Sequence, residues 1–454
     1  MWAGSGGRDR AILNRAADRF TQGCALAWRP FRTHAEPPLD TPRHVTVIGA
    51  GIVGICCAIE LRRRGLQVTV VDRLEPGQGC SFGNAGILAA QAVVPIGLPG
   101  LARQLPRMLF DGSNPLTLRP GSLPRSLPWL WRLQQASRIE RVQRIADAMK
   151  ALYGSTLQRH QALAAEAGAP ELVRATPGLY VHRRAAGIDL QHGLAWRLRQ
   201  ERGAQVELLE GAALREAEPA LSTEYVRGVR MGPMGCCMNP LRLVQVYATL
   251  LQRMGGELRR ADVSALQPGM DGVRLQLGGG ALQTDAVVVA AGAWSGRLLQ
   301  PLGLKLPLIA ERGYHLTYAD SGIRLNHVVT DIEAHFAVTD MEMGLRAAGT
   351  EELGDADDAP DWGRAEALQR HAQRLFPAAR LQLGSRWMGP RPGLPDSLPA
   401  IGAVPGQPRI LVATGHGHLG LTGAPHTGQV VADLVTGTQP SLSLGAYAPG
   451  RFGR

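Results

Sequence analysis

The chain has 454 residues, 45% of them hydrophobic and 19% charged, the composition of a globular protein long enough for two cores. Its formal charge of +11 comes almost wholly from arginine, since Lys150 and Lys305 are its lysines, and no basic cluster interleaved with aromatics marks a nucleic-acid surface. Six cysteines, in two adjacent pairs plus Cys24 and Cys80, lack the C-x-x-C spacing of zinc and iron–sulfur sites; no metal and a reducing compartment are expected, and no apolar run reaches the roughly 18 to 20 residues of a membrane span.

Residues 1–43 are rich in Arg, Ala, Gly and Pro and lack the apolar core of a signal peptide. They read as a disordered extension, or as the product of a start codon placed too far upstream. Asp9, Asp18, Glu36 and Asp40 count against an arginine-rich targeting segment.

From His44 to Asp72 the sequence reads as a complete β-α-β nucleotide-binding unit. Val45, Val47 and Ile48 form the short β-branched run of a strand buried on both faces. Gly49, Gly51 and Gly54 follow in G-x-G-x-x-G spacing: one turns the chain, one lets a pyrophosphate approach the backbone, one lets helix and strand pack closely. Ile52 and Val53 open the helix, whose free N–H groups and positive dipole end form an anion site. Arg62 to Arg64 and Gly65 end it, a second strand runs from Val68 to Val71, and Asp72 stands where an acid accepts hydrogen bonds from ribose hydroxyls.

Arg73, then Glu75-Pro76-Gly77, then Cys80-Ser81-Phe82-Gly83-Asn84-Ala85-Gly86-Ile87 continue the chain. With VVDR before it and SFGNAGIL at its end, this stretch resembles the amino-acid-oxidising flavoproteins of the D-amino-acid oxidase superfamily, in particular the FAD-dependent D-amino-acid dehydrogenases. The resemblance implies FAD as the dinucleotide, with Arg73, Ser81, Asn84, Ala85 and Gly86 beside it. It implies a mixed α/β fold: a Rossmann-like FAD-binding domain interleaved with a substrate domain built on an antiparallel sheet. Residues 44–90, 236–305 and 385–454 are assigned to the first, and 91–235, with a helical segment, and 306–384 to the second.

Between Gln91 and Leu133, Pro95, Pro99, Pro106, Pro115, Pro120, Pro124 and Pro128 argue against any long regular element. Two readings stand: short helices packed on the core, or a surface resting on a membrane interface, in which Trp129 and Trp131 lie beside Arg103, Arg107, Arg119 and Arg125. Helical periodicity dominates from Trp131 to Gly168, and strands are expected at Gly178–His182 and Gly228–Met231. The LREAEPAL stretch from Leu214 to Leu221 resembles the family's linker before the substrate domain. Asn239 caps a helix from Leu241 to Met254, with Pro240 at its first position.

Asp285 to Ser295 reads DAVVVAAGAWS, a buried parallel strand turning at Ala291-Gly292-Ala293. By resemblance, Val263, Ala291, Gly292 and Trp294 adjoin the adenosine half of FAD, Trp294 as a packing residue. Strands are expected at His335 to Val338 and Gly344 to Thr350, where Arg346 faces away from Leu345. GLRAAGTEELG resembles the stretch that edges the family's substrate pocket.

Two closing segments, WMGPRPGLPDSLPAIG from Trp387 and ATGHGHLGLT from Ala413, resemble the last flavin-binding elements of the superfamily. They imply cofactor contacts at Gly415, His416, Gly417, His418, Leu419, Gly420 and Thr422, just before an apolar helix at Gly428–Val435. His418 departs from the smaller polar residue common in the bacterial D-alanine-type enzymes.

The implied reaction is oxidative deamination of a D-amino acid, by hydride transfer from Cα to the flavin N5, to an imino acid that hydrolyses to the 2-oxo acid or stays cyclic. It needs an arginine for the carboxylate, because a planar fork donates two parallel charged hydrogen bonds. Arg391 is the first candidate and Arg346 the second, by family position. Tyr314 either donates a further hydrogen bond to the carboxylate or is core. His416 and His418 either tune the flavin and steer the amine or bond loop backbone. With no acidic motif near Arg391 to bind a basic side chain, a neutral D-amino acid is expected, D-proline and a hydroxy-D-proline among the candidates.

Electrons are expected to pass to a quinone or a partner protein, in the cytoplasm or on the cytoplasmic face of the inner membrane. A sarcosine-oxidase-like secondary-amine oxidase and a non-catalytic FAD-binding subunit are the competing readings. A two-dinucleotide reductase is disfavoured by the lack of a second G-x-G-x-x-G.

Overall fold

A computed structural model describes residues 42–100, 116–118 and 123–453. The expected extension up to residue 41, and Arg103, Arg107 and Arg119, lie outside them.

The strand His44–Ile48 is buried along Val45 to Ile48 and sits inside a six-stranded sheet. Across that sheet run Glu257–Arg260, Gln67–Asp72, His44–Ile48, Ala286–Val289, Gln407–Thr414 and Ala400–Val404. The first five are parallel and the last is antiparallel. Both faces must then be covered. The helices Ile52–Arg63 and Gly420–Val435 cover one, meeting so closely at Gly428 that a Cβ there would lie 2.6 Å from the Cys56 carbonyl oxygen. A three-stranded antiparallel sheet, Val263–Gly269, Gly272–Leu277 and Gly280–Thr284, covers the other through Leu266, Val273, Leu275 and Leu277.

The second large sheet is mostly antiparallel, in the order Ser385–Gly393, Ile309–Tyr318, Gly344–Gly354, Phe336–Met341, Val328–Asp331, Gly178–His182, Arg227–Gly232, Gln205–Glu210. One face carries Tyr314, Leu316, Tyr318, Leu345 and Ala347 against Ala365, Leu368, Ala372 and Leu375 of the helix Trp362–Leu375. The opposite face is turned toward the carboxyl ends of the parallel strands.

Several expected boundaries shift. Ser385–Gly393 belongs to the antiparallel sheet, so the segment assigned to the nucleotide domain from residue 385 opens with a strand of the other layer. The last helix starts at Gly420, not Gly428, carrying Pro425 in its second turn. A helix at Leu123–Ala136 carries Pro124 in its first turn, where the missing N–H removes no intrahelical hydrogen bond, and Pro128 in its second. The helix Pro240–Arg253 starts as expected, with the Asn239 side chain accepting from the Arg242 N–H at 3.0 Å.

Candidate active site

A single cavity of about 1480 Å³ runs from the glycine turn after His44–Ile48 to the free face of the antiparallel sheet. An ordinary small-molecule pocket holds roughly 300 to 1,000 Å³, so this one has room for a dinucleotide and a further ligand.

The glycines at the nucleotide end differ in what requires them. Gly49 has φ +113° and a Cβ there would lie 2.3 Å from the Ala290 carbonyl oxygen; a Cβ at Gly54 would lie 1.9 Å from that of Gly49. Both are therefore demanded by the fold itself. A Cβ at Gly51 would meet the Ser81 hydroxyl at 3.4 Å, an ordinary contact, and would otherwise enter the cavity. That space suits a ligand that lies on the backbone, at the start of the helix Ile52–Arg63, whose N-cap residue Gly51 has no side chain to occupy it.

Asp72 accepts from the N–H groups of Ala50 (2.6 Å) and Leu74 (2.9 Å), which fixes its carboxylate at the cavity wall. Ile52 donates to the Ser81 hydroxyl at 3.0 Å, tying the 81–86 loop to the helix start. Farther along, the Arg73 guanidinium lies 4.3 Å over the Trp294 ring, whose indole N–H donates to Asp357 at 3.0 Å. These residues fit the adenosine and pyrophosphate of FAD.

At the other end, two strand glycines allow long side chains to lie flat. Glu311, Gly313 and His315 share one face of Ile309–Tyr318, opposite Arg391, Gly389 and Trp387 of the neighbouring strand. A Cβ at Gly389 would lie 1.9 Å from the Trp387 ring, and one at Gly313 would lie 2.1 Å from Arg391 Nη2. Trp387 stacks on His315 at 5.3 Å, and the His315 Nδ1–H donates to the Gly83 carbonyl at 3.2 Å. Burial, with the Arg346 charge nearby, lowers His315 to about 3, so its ring is neutral.

Arg391 extends over Gly313 to within 3.6 Å of the Glu351 carboxylate, whose oxygen is also 3.8 Å from His418 Nδ1. Glu311 is buried beside them with both carboxyl oxygens unpartnered, and burial together with the Glu351 charge raises it to about 8. His416 is buried, its Nε2 2.9 Å from the Thr427 hydroxyl, and burial lowers it to about 3.

Of the residues singled out in the sequence, Gly49, Gly51, Ile52, Val53, Asp72, Arg73, Ser81, Asn84, Ala85, Val263, Ala291, Gly292, Trp294, Arg391, His416, Gly417, His418, Leu419 and Gly420 line the cavity. Gly54, Gly86, Gly415 and Thr422 stand behind its wall. Gly86 has φ +74°, with the Asn84 side chain accepting its N–H, and Thr422 donates to the Ile87 carbonyl at 3.2 Å. Gly415 borders a water-sized space behind the loop.

Two candidates are corrected. The Arg346 guanidinium points under the 81–86 loop, donating to the carbonyls of Phe82 (3.0 Å) and Asn84 (2.9 Å); burial lowers it to about 10, which leaves it charged. It holds the loop and is not among the cavity residues. Tyr314 lies on the core face, where its hydroxyl donates to Glu352 at 2.8 Å and accepts from the Asp361 N–H at 2.9 Å.

Glu351 and Trp387 also line the cavity, with Glu311 and His315 packed behind them, and the two glutamates overturn the expectation of no acid near Arg391. Glu311 and His315, two positions either side of Gly313 in the strand IAERGYHLTY and therefore on one face with it, were the available signal.

A family model described as FAD dependent oxidoreductase matches residues 44–434. A D-amino-acid oxidase of Bradyrhizobium diazoefficiens is 38% identical over 423 residues, 90% of this chain and 99% of that protein. A D-amino acid dehydrogenase of Methylobacterium radiotolerans is 32% identical over 420 residues, 90% of this chain and 99% of that one. Glycine oxidase from Geobacillus kaustophilus, at 22% identity, has the same fold, with a TM-score of 0.69 over 90% of this chain and 99% of its own.

Proposed function

The chain belongs to the FAD-dependent oxidoreductase family and its cofactor is FAD, and from that premise we propose that it oxidises a D-amino acid to the imino acid, which hydrolyses to the 2-oxo acid. Bound FAD supplies the acceptor for the Cα hydrogen and its electron pair. In this reading the cavity-lining glycines, Asp72, Ser81 and the His416–Gly420 turn hold the cofactor. The start of the helix Gly420–Val435 offers its positive dipole end to negative charge on the reduced ring.

The observation that carries the proposal is Arg391, a guanidinium laid over Gly313 on the cavity wall. Its planar fork suits a carboxylate by two parallel charged hydrogen bonds, and it fixes which Cα substituent faces the ring. Trp387 and His315, a stacked neutral pair, exclude water beside it. The relatives named for D-amino acids, covered almost end to end, support the D configuration. A panel of paired D- and L-amino acids with an artificial electron acceptor tests the reading: turnover of D-forms is expected, and turnover confined to L-forms or to N-methylglycine contradicts it.

We assign the electrons to a quinone or a partner protein, and the enzyme to the cytoplasm, against the inner face of the membrane. Five cysteines with free thiols and the exposed Leu127 and Trp131 of the helix Leu123–Ala136 support this assignment. Trp129 is buried and is withdrawn from the contact. No helix of the described residues is long and apolar enough to cross a membrane. Salt-sensitive flotation with anionic vesicles that is lost in Trp131→Ser is the expected result, and unchanged flotation contradicts the contact.

A further inference from the structure

Glu351 reaches the cavity because its strand is irregular. Tyr314 pairs with Gly349 and Gly313 with Glu351, which leaves Thr350 as an extra residue between them. Thr350 has φ +57°, and its hydroxyl is buried without a partner. A β-branched residue in the left-handed region is costly and persists only where its surroundings impose it. The bulge also changes parity. Leu345 and Ala347 face the core, and uninterrupted alternation would send residue 351 there with them; instead Glu351 stands beside Gly313 on the cavity side.

Around it the charges are arranged for a zwitterion. Arg391 Nη1 is 3.6 Å from Glu351 Oε1, close to the spacing between the charged groups of one α-amino acid. Glu311, His418 and Glu351 bring donor atoms within 4.8 Å of one another, but the guanidinium on Glu351 opposes a divalent cation at that point. Gly393 and Gly417 make space for the buried Glu311 carboxyl, since a Cβ at either would lie 2.1 Å or 3.2 Å from its oxygens. Burial and the neighbouring Glu351 charge hold the Glu311 carboxyl in its neutral form near pH 7, which leaves Glu351, 3.6 Å from Arg391, as the carboxyl that faces the cavity.

Resting on the amino-acid oxidation proposed above, we propose that Glu351 is the partner of the substrate's α-amino group, binding it while Arg391 binds the α-carboxylate, and accepting the proton that the ammonium must lose. One N–H bond breaks and one O–H bond forms, giving a neutral amine and a neutral Glu351 carboxyl. No electrons are exchanged in this step. Oxidation needs the neutral amine, whose nitrogen lone pair assists departure of the Cα hydrogen with its electrons.

The test uses the FAD-loaded enzyme and two probes. 2-Aminoisobutyrate has both α-groups but no Cα–H, so it binds without turnover; isobutyrate lacks the amine. Binding is read from the flavin absorption band. Glu351→Gln is expected to weaken 2-aminoisobutyrate at least about tenfold, the scale of a lost hydrogen bond to a charged group, with isobutyrate within about threefold of wild type. Equal losses for both probes, or none, overturn the proposal. A measurement without a variant is the proton count, by calorimetry in buffers of different ionisation heat near pH 7.5. Wild type is expected to release almost no proton on binding 2-aminoisobutyrate, and release of about one overturns the proposal. If the flavin is bleached by D-amino acids while the probe ratio is unchanged in Glu351→Gln, this inference fails and the reaction assigned above stands. If no amino acid bleaches it, that assignment fails.

Discussion

Arg391 and Glu351 face one another across Gly313, their charged atoms 3.6 Å apart, although their strands are separated by a third. A side chain on the middle strand would part them. The contact therefore depends on a residue that carries no chemistry of its own.

Arg391→Lys should keep FAD bound and weaken the substrate interaction by about 1.5 to 3 kcal/mol, the scale of a hydrogen bond to a charged group. Lysine keeps the charge but loses the fork. The loss is expected in kcat/KM, and in kcat where Cα is misaimed. An amine without a carboxylate serves as control, and an equal loss with it would mean that Arg391 supports the fold or the flavin.

Gly51→Val should fold but purify without flavin absorbance. The added Cβ meets the Ser81 hydroxyl at 3.4 Å, which the protein tolerates, while the rest of the side chain fills the space over the helix start. A folded variant that retains stoichiometric FAD would contradict the position of the pyrophosphate.

Arg346→Met should act on stability and not on substrate affinity. It leaves the Phe82 and Asn84 carbonyls without their charged donor, a loss of at least about 1.5 kcal/mol. A lower melting temperature and weaker flavin retention are expected, with KM nearly unchanged in the fraction that holds FAD. A large rise in KM at full occupancy would return Arg346 to the list of substrate ligands.

Glu311 should make stability depend on pH. Its carboxyl titrates at 4.5 in an ordinary setting and at about 8 in the native chain, so the folded state holds the proton more tightly. The resulting stability is full below pH 4.5 and is lost as pH rises toward 8. The melting temperature of wild type minus that of Glu311→Gln, both FAD-loaded, should fall steadily from pH 5 to pH 8 and then level. A constant difference would mean that Glu311 is ionised throughout.

The nucleotide half was legible because its signals are local. His44–Ile48, Gly49, Gly51, Gly54 and Asp72 each announce a backbone requirement within 30 residues, and the resemblance named the cofactor. The substrate end depends on cross-strand register instead. Whether Glu351 faces core or cavity is decided by one extra residue at Thr350, and neighbouring sequence does not reveal which strand will lie opposite. Arg346 was misread for the same reason. Alternation correctly separated it from Leu345, but that face also carries the underside of the 81–86 loop, which takes up its guanidinium. Tyr314 has the parity of Leu316 and Tyr318 and so belongs to the core.

Anaerobic mixing of the FAD-loaded enzyme with the two enantiomers of one amino acid, followed at the flavin absorption band, tests the reaction most directly. The account predicts that the D-enantiomer bleaches the band at a saturable rate, that the L-enantiomer leaves it oxidised, and that the 2-oxo acid appears in an amount equal to the flavin reduced. A band bleached by the L-enantiomer alone, or by neither across a panel of side chains, would contradict it.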